Sequence, residues 1–355
     1  APLLLPALVA PAHAQGTPPP PTLQECAAIG QAADRLACYD RLAGRAQAVP
    51  APAATPLEAI TSPTPTSEIA PKDVAVTPGT EKNGDGSLLS KFWELDARDK
   101  RGTFNLLGYR SNFIAPLHAT SQVNRNPQSP TQAPVPKPNY RNVEAKFQIS
   151  LRTKVLQDVL LPGGDVWLAF SEVAMWQIWN GTDSKPFRNT DYEPEGMYIL
   201  PTAEGLRDLP GGWKWRYTQF GIAHQSNGQS DPLSRSWNRA YLGAGIERGD
   251  WSLNARFNQR FDEPYERDNN PDLVDYRGHF EFDLSWAPGA ATAWLQIRPA
   301  SKGTSLQFEW SYPVFRDQPN GVRWFVQAFS GYGETLTDYN FRQNSIGFGL
   351  SFLQF

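Results

Sequence analysis

The chain has 355 residues, with 33 Lys and Arg against 36 Asp and Glu, so the formal net charge is −3 and no basic excess points to nucleic acid. Charged residues make up only 19% and aromatics 12%, yet the mean hydropathy is −0.48. No apolar run approaches the ~18 residues that a membrane-spanning helix needs.

Residues 1–14 are expected to be the remainder of a signal peptide, because the apolar run Pro2 to Ala10 precedes a small–x–small site at Ala12-His13-Ala14. Export is therefore expected. Residues 15–46 read as a small helical module carrying both cysteines, Cys26 and Cys38. Unbroken helix would hold them about 18 Å apart, too far for a disulfide. If Gly30 breaks the helix, the halves can fold back and a disulfide forms; two buried thiols are the alternative. Residues 47–90 are Pro-, Ala- and Thr-rich and read as a disordered linker. All twelve Trp lie beyond it, and the main domain is expected over 91–355.

That domain reads as about twelve segments of strand length with period two, from near Thr103–Pro116 to Phe355. Ile346, Phe348, Leu350 and Phe352 alternate with Ser345, Gly347, Gly349 and Ser351. Val143-Ala145-Phe147-Ile149-Leu151, Trp251-Leu253-Ala255-Phe257 and Leu306-Phe308-Trp310-Tyr312 alternate in the same way. Alternation alone also fits a soluble sandwich. Real charges on the polar parity (Lys146, Arg152, Arg256, Glu281, Glu309), aromatics near strand ends and the terminal Phe355 favour an all-β, twelve-stranded antiparallel transmembrane barrel.

No phosphate-binding Gly-rich loop, paired-Cys zinc pattern, HExxH or G-x-S-x-G elbow is present. His118 and His279 read as structural. His224 and Ser226, two apart on a strand, emerge from the same face. A serine hydroxyl needs an adjacent base to act as a nucleophile, and that base needs a third group to orient it. Asn238 lies across the hairpin to do so. The same parity runs through Phe220 and Ile222 on one strand and Ala240, Leu242 and Ile246 on the next, so all three polar residues stand on the apolar, lipid-facing side. Polar groups there are costly unless paired, and a catalytic group on the outer wall would meet acyl lipids. A polar turn at the membrane rim is the plainer reading of the same spacing.

The run HQSNGQSDPLSRSWNRAY over 224–241 resembles the signature of the outer-membrane phospholipase A family. The resemblance extends over most of 102–355, including Tyr109-Arg110-Ser111-Asn112-Phe113, residues 186–194 (PFRNTDYEP) and residues 330–336 (SGYGETL). It implies hydrolysis of acyl esters of phospholipids and lysophospholipids in the outer membrane, dependence on Ca2+, and activation by homodimerisation. By position, Ser226 would be the nucleophile, His224 the base and Asn238 its orienting residue, with the Gly228 amide and a calcium-bound water stabilising the oxyanion. Calcium would take oxygens from the Ser234 hydroxyl and the Gln229 carbonyl, plus the carbonyl of the partner subunit's Ser184. A second calcium site in the monomer would use Asp231, but Asn269 stands at the other acidic position, with Asp268 adjacent. Glu172, on an apolar strand parity, falls where the family has an interface amide and is expected to hydrogen-bond across the dimer as a neutral acid. The rival readings are a passive pore with an open lumen and a hydrolase of lipopolysaccharide acyl chains.

Overall fold

The structure is a computed structural model and describes residues 22–43 and 86–352. The expected signal segment lies outside these residues, as does most of the expected linker.

In the N-terminal unit, α1 (Leu23–Ala27) opens on a reciprocal cap between Thr22 and Glu25, which satisfies the first unpaired amides of a very short helix. Gly30 lies in the break before α2 (Ala32–Leu42). The reversal brings the Cys26 and Cys38 Cα atoms to 5.4 Å, and the two are joined as a disulfide.

The second unit opens with α3 (Leu88–Trp93), capped by the Ser87 side chain. Thirteen strands follow among the described residues: β1 (Leu106–Gly108), β2 (Asn112–Thr120), β3 (Val143–Leu156), β4 (Asp165–Trp176), β5 (Phe187–Pro201), β6 (Lys214–Ser226), β7 (Ser236–Arg248), β8 (Trp251–Arg260), β9 (Phe280–Trp286), β10 (Thr292–Arg298), β11 (Ser305–Pro313), β12 (Arg323–Tyr332) and β13 (Arg342–Phe352). Each of β2 to β13 pairs antiparallel with its neighbours in sequence, and β13 pairs with β2, so these twelve close into a barrel with no open edge. The short β1 pairs with β3 next to β2: Leu107 faces Arg152 and Phe113 faces Gln148. β1 and β2 thus act as one strand interrupted at 109–111.

Alternation sorts the side chains. On β3, Glu144, Lys146, Gln148, Ser150, Arg152 and Lys154 are buried in the lumen, while Val143 and Ile149 are exposed on the wall. The lumen charges pair: Arg110 lies 2.8 Å from Glu193 and 2.7 Å from Glu195, Arg239 bonds Glu193, and Arg188 lies 2.7 Å from Glu144. Such closeness matters because a buried charge without a partner is expensive. Between these groups lies a cavity of about 320 Å³ lined by Arg110, Glu193, Arg239 and Arg256 among others. This is a filled lumen, unlike the open one a pore requires.

At one rim, α3 enters the barrel. Leu89 and Trp93 pack with Tyr109, Trp167, Met197, Ile199, Tyr217 and Tyr241, and the Leu89 amide donates to Glu247 Oε2 at 2.9 Å. The barrel unit therefore begins by Leu88. At the opposite rim, the β12–β13 loop (residues 333–341) bonds inward: the Leu336 amide donates to Asp191 Oδ2 at 2.8 Å, and Glu334 meets His118 Nε2 at 2.9 Å and Lys146 Nζ at 2.8 Å.

Candidate active site

β6 and β7 form a hairpin at this loop-bearing rim, in a register that sets His224 opposite Asn238 and Ser226 opposite Ser236. Their parity points outward, with Phe220, Ile222 and Leu242, all exposed. His224 Nδ1 and Asn238 Oδ1 are 2.8 Å apart. A carbonyl oxygen only accepts, so Nδ1 carries the proton and Nε2 is the basic nitrogen. Ser226 stands two residues along β6 on the same face. Among the described residues its hydroxyl has no hydrogen-bond partner.

The 227–235 turn closes the hairpin through Asn227 N to Arg235 O at 3.0 Å and Ser234 N to Ser230 O at 3.1 Å. Gly228 has φ +61°, in the left-handed region where glycine is favoured, and an added Cβ would lie 3.0 Å from Tyr192 Cε2. Both the backbone conformation and Tyr192 thus require glycine there, and Tyr192 in turn pairs with Ser226 across β5 and β6.

Asn227, missed by the sequence reading, holds the turn from inside. It is buried, with Nδ2 donating to Leu233 O at 2.8 Å and to Thr337 Oγ1 at 3.0 Å. Its Oδ1 accepts from Arg235 N at 2.9 Å and Gln229 N at 3.3 Å. All four hydrogen-bonding capacities of the amide are used, and the turn is tied to the β12–β13 loop. The available signal was its position on the lumen parity directly after Ser226.

The proposed cation ligands divide. Ser234 and Gln229 share the turn, and Ser234 Oγ accepts from Asn269 Nδ2 at 2.8 Å, which leaves the hydroxyl oxygen oriented and still able to offer an electron pair. Neutral hydroxyl and carbonyl oxygens suit a hard cation. Ser184 sits apart, on the β4–β5 loop, exposed and with φ +59°; no hydrogen bond joins it to the turn among the described residues.

The second cation position does not fit. Asp231 Oδ1 and Asn269 Oδ1 both accept from the Gln132 amide, at 3.3 and 2.9 Å. Asp268, the neighbouring carboxylate, is buried against Arg260 at 2.8 Å and the Asn270 amide at 2.9 Å. An amide donor sits between the oxygens that a cation would need. Among the described residues no group of three or more His, Cys, Asp or Glu could hold a metal.

A closed twelve-stranded barrel with an apolar outer wall and a charged, filled interior is an integral outer-membrane β-barrel protein. The sequence family described as Phospholipase A1 matches residues 89–352. The chain belongs to this phospholipase A1 family, whose members are hydrolases. A putative phospholipase A1 of Neisseria meningitidis serogroup B is 33% identical over 353 residues, spanning 93% of this chain and 91% of the relative. The outer-membrane phospholipase of Salmonella typhi, solved as a dimer with bound calcium, superposes with a TM-score of 0.62 at 30% identity, over 71% of this chain and 94% of that one. The Escherichia coli outer-membrane phospholipase A, in a variant whose active-site asparagine is replaced by alanine, superposes with a TM-score of 0.64 at 28% identity, over 75% of this chain and 98% of that one.

Proposed function

We propose that this chain hydrolyses acyl ester bonds of phospholipids and lysophospholipids in the outer membrane, with Ser226 as nucleophile, His224 as base and Asn238 as its orienting residue, in a calcium-dependent homodimer. The observation that carries the reading is the 2.8 Å contact between His224 Nδ1 and Asn238 Oδ1, on the lipid-facing wall and two residues from a serine.

In the reaction, Ser226 Oγ attacks the ester carbonyl carbon while His224 Nε2 takes its proton. The Asn238 carbonyl holds the imidazole by Nδ1–H and stabilises its charged form. The Gly228 amide, presented by the left-handed turn, donates to the developing oxyanion. As the tetrahedral intermediate collapses, His224 returns the proton to the leaving alcohol oxygen. Water then attacks the acyl-serine by the same base, releasing the fatty acid and restoring Ser226.

Calcium would be held by the Ser234 hydroxyl and Gln229 carbonyl, with the carbonyl of the partner subunit's Ser184, and would supply positive charge beside the oxyanion. The dimeric, calcium-bound relative supports this part of the reading. So does Glu172, which pairs with Tyr192, which in turn pairs with Ser226. A carboxyl on the apolar wall thus lies two strands, roughly 10 Å, from the nucleophile, a position suited to a hydrogen bond across a second copy.

The test is fatty-acid release from detergent–phospholipid micelles. Parent protein is expected to release fatty acid with calcium and to stop with excess chelator, and Ser226→Ala is expected to be inactive with calcium present. Calcium-dependent release that survives in Ser226→Ala removes the nucleophile assignment.

A further inference from the structure

We infer that Glu263 is a positioning residue for this reaction: it fixes the orientation of the Asn238 amide and, through it, the His224 ring. The inference rests on the Ser226–His224–Asn238 reading.

A side-chain amide has nearly the same shape after a half-turn that exchanges its oxygen and its NH2 group. The two orientations are opposite in chemistry. With Oδ1 toward His224, the ring keeps its proton on Nδ1 and Nε2 can accept one from Ser226. With the NH2 group toward His224, the tautomer carrying the proton on Nε2 is favoured, and that nitrogen cannot act as a base. Something must therefore select the orientation.

Glu263 does so because a carboxylate only accepts. Asn238 Nδ2 donates to Glu263 Oε1 at 3.4 Å while Asn238 Oδ1 meets His224 Nδ1 at 2.8 Å. A half-turn of the amide would bring its oxygen against a carboxylate oxygen. The contact to Asn238 is the one hydrogen bond of the Glu263 side chain among the described residues, and no cation pairs with it there.

The backbone explains the placement. β7 and β8 pair through Arg239 and Arg260, and one step on, the Phe261 amide donates to the Asn238 carbonyl at 2.9 Å. The chain leaving β8 thus stays beside Asn238. Phe261, just past the end of β8, is exposed, and Glu263 follows two residues later, half-buried, in the segment that leaves the strand. Half-burial lets water screen its charge, so selecting the amide orientation, more than field strength, is its main effect.

The experiment measures fatty-acid release by Glu263→Ala, Glu263→Gln and Glu263→Asp, each also in an Asn238→Ala background, with Ser226→Ala as control. Glu263→Ala is expected to lower kcat about tenfold, the low end for losing an outer partner of a working group, with KM and the calcium concentration for half-maximal rate unchanged. Glu263→Gln, which offers donor and acceptor alike and so selects neither orientation, is expected to lose several-fold, and Glu263→Asp to recover most of the parent rate. In the Asn238→Ala background Glu263→Ala should cost nothing further, because the two act as one unit. A kcat within about twofold of the parent, or the same loss with and without Asn238, overturns the inference. Should Glu263→Ala fail to fold, the isosteric Glu263→Gln carries the same comparison. An active Ser226→Ala control defeats the underlying reading instead, whereas an inactive control beside unimpaired Glu263 variants defeats this inference alone.

Discussion

Adjacent residues on an extended chain face opposite ways, and Ser226-Asn227 uses both directions. Ser226 looks toward lipid; Asn227 turns into the lumen and closes the turn that presents the Gly228 amide and the Gln229 and Ser234 oxygens. Asn227→Ala removes four hydrogen bonds at a buried position, each worth about 1 kcal/mol net. It is expected to slow fatty-acid release about tenfold or more and to raise the calcium requirement. Asn227→Asp keeps the two acceptor contacts and should fall between; an unchanged calcium dependence in both would show that the turn needs no such clamp. The outward trio was legible because period two fixes the face of every residue on the hairpin once one is known. Asn227 and Glu263 were not, since their roles depend on partners 110 and 25 positions away. The surroundings of Asp268 were equally hidden: it stands beside Asn269 in the chain, but Arg260 occupies its carboxylate.

Strands were the most readable elements, because a wall with lipid on one side and ion pairs on the other enforces strict alternation. The pause between β1 and β2 was not readable; the chain there looks like one strand. Nor was α3, a brief apolar stretch whose partners, Trp167 and Tyr217 among them, lie on distant strands. The β12–β13 loop yields a prediction of its own. Burial alone would raise the Glu334 carboxyl, but the Lys146 ammonium and the His118 ring outweigh it and hold the group well below the usual carboxylate range. A depressed native value stabilises the fold above the unfolded value and is lost as pH falls through the native one. Thermal stability of the folded barrel should therefore decline as pH falls below the ordinary Glu value near 4.3 and on through the lowered native one. Glu334→Gln should be less stable at neutral pH and flatter across that range; parallel curves for the two proteins would assign the acid sensitivity elsewhere.

At the scale of the whole molecule, the two rims differ in use. One takes in α3; the other carries the β6–β7 turn, the inward β12–β13 loop and the β4–β5 loop with Ser184. On the proposed dimer, Glu172→Leu is expected to weaken crosslinking between copies and to reduce calcium-dependent release with it. Crosslinking at the parent level would remove Glu172 from the interface. The class of fold was legible from alternation and composition. The interior was legible only as charged, since which cation meets which carboxylate depends on the barrel's closure.

The outward parity of Ser226 and His224 has a kinetic consequence. In the proposed reaction and dimer, substrate and second copy would both reach this wall by sliding within the membrane, where encounters are governed by molecules per unit area. Diluting vesicles in buffer leaves that density untouched, whereas adding lipid at constant protein lowers it. Turnover per protein should accordingly follow the protein-to-lipid ratio and ignore the volume of the surrounding water.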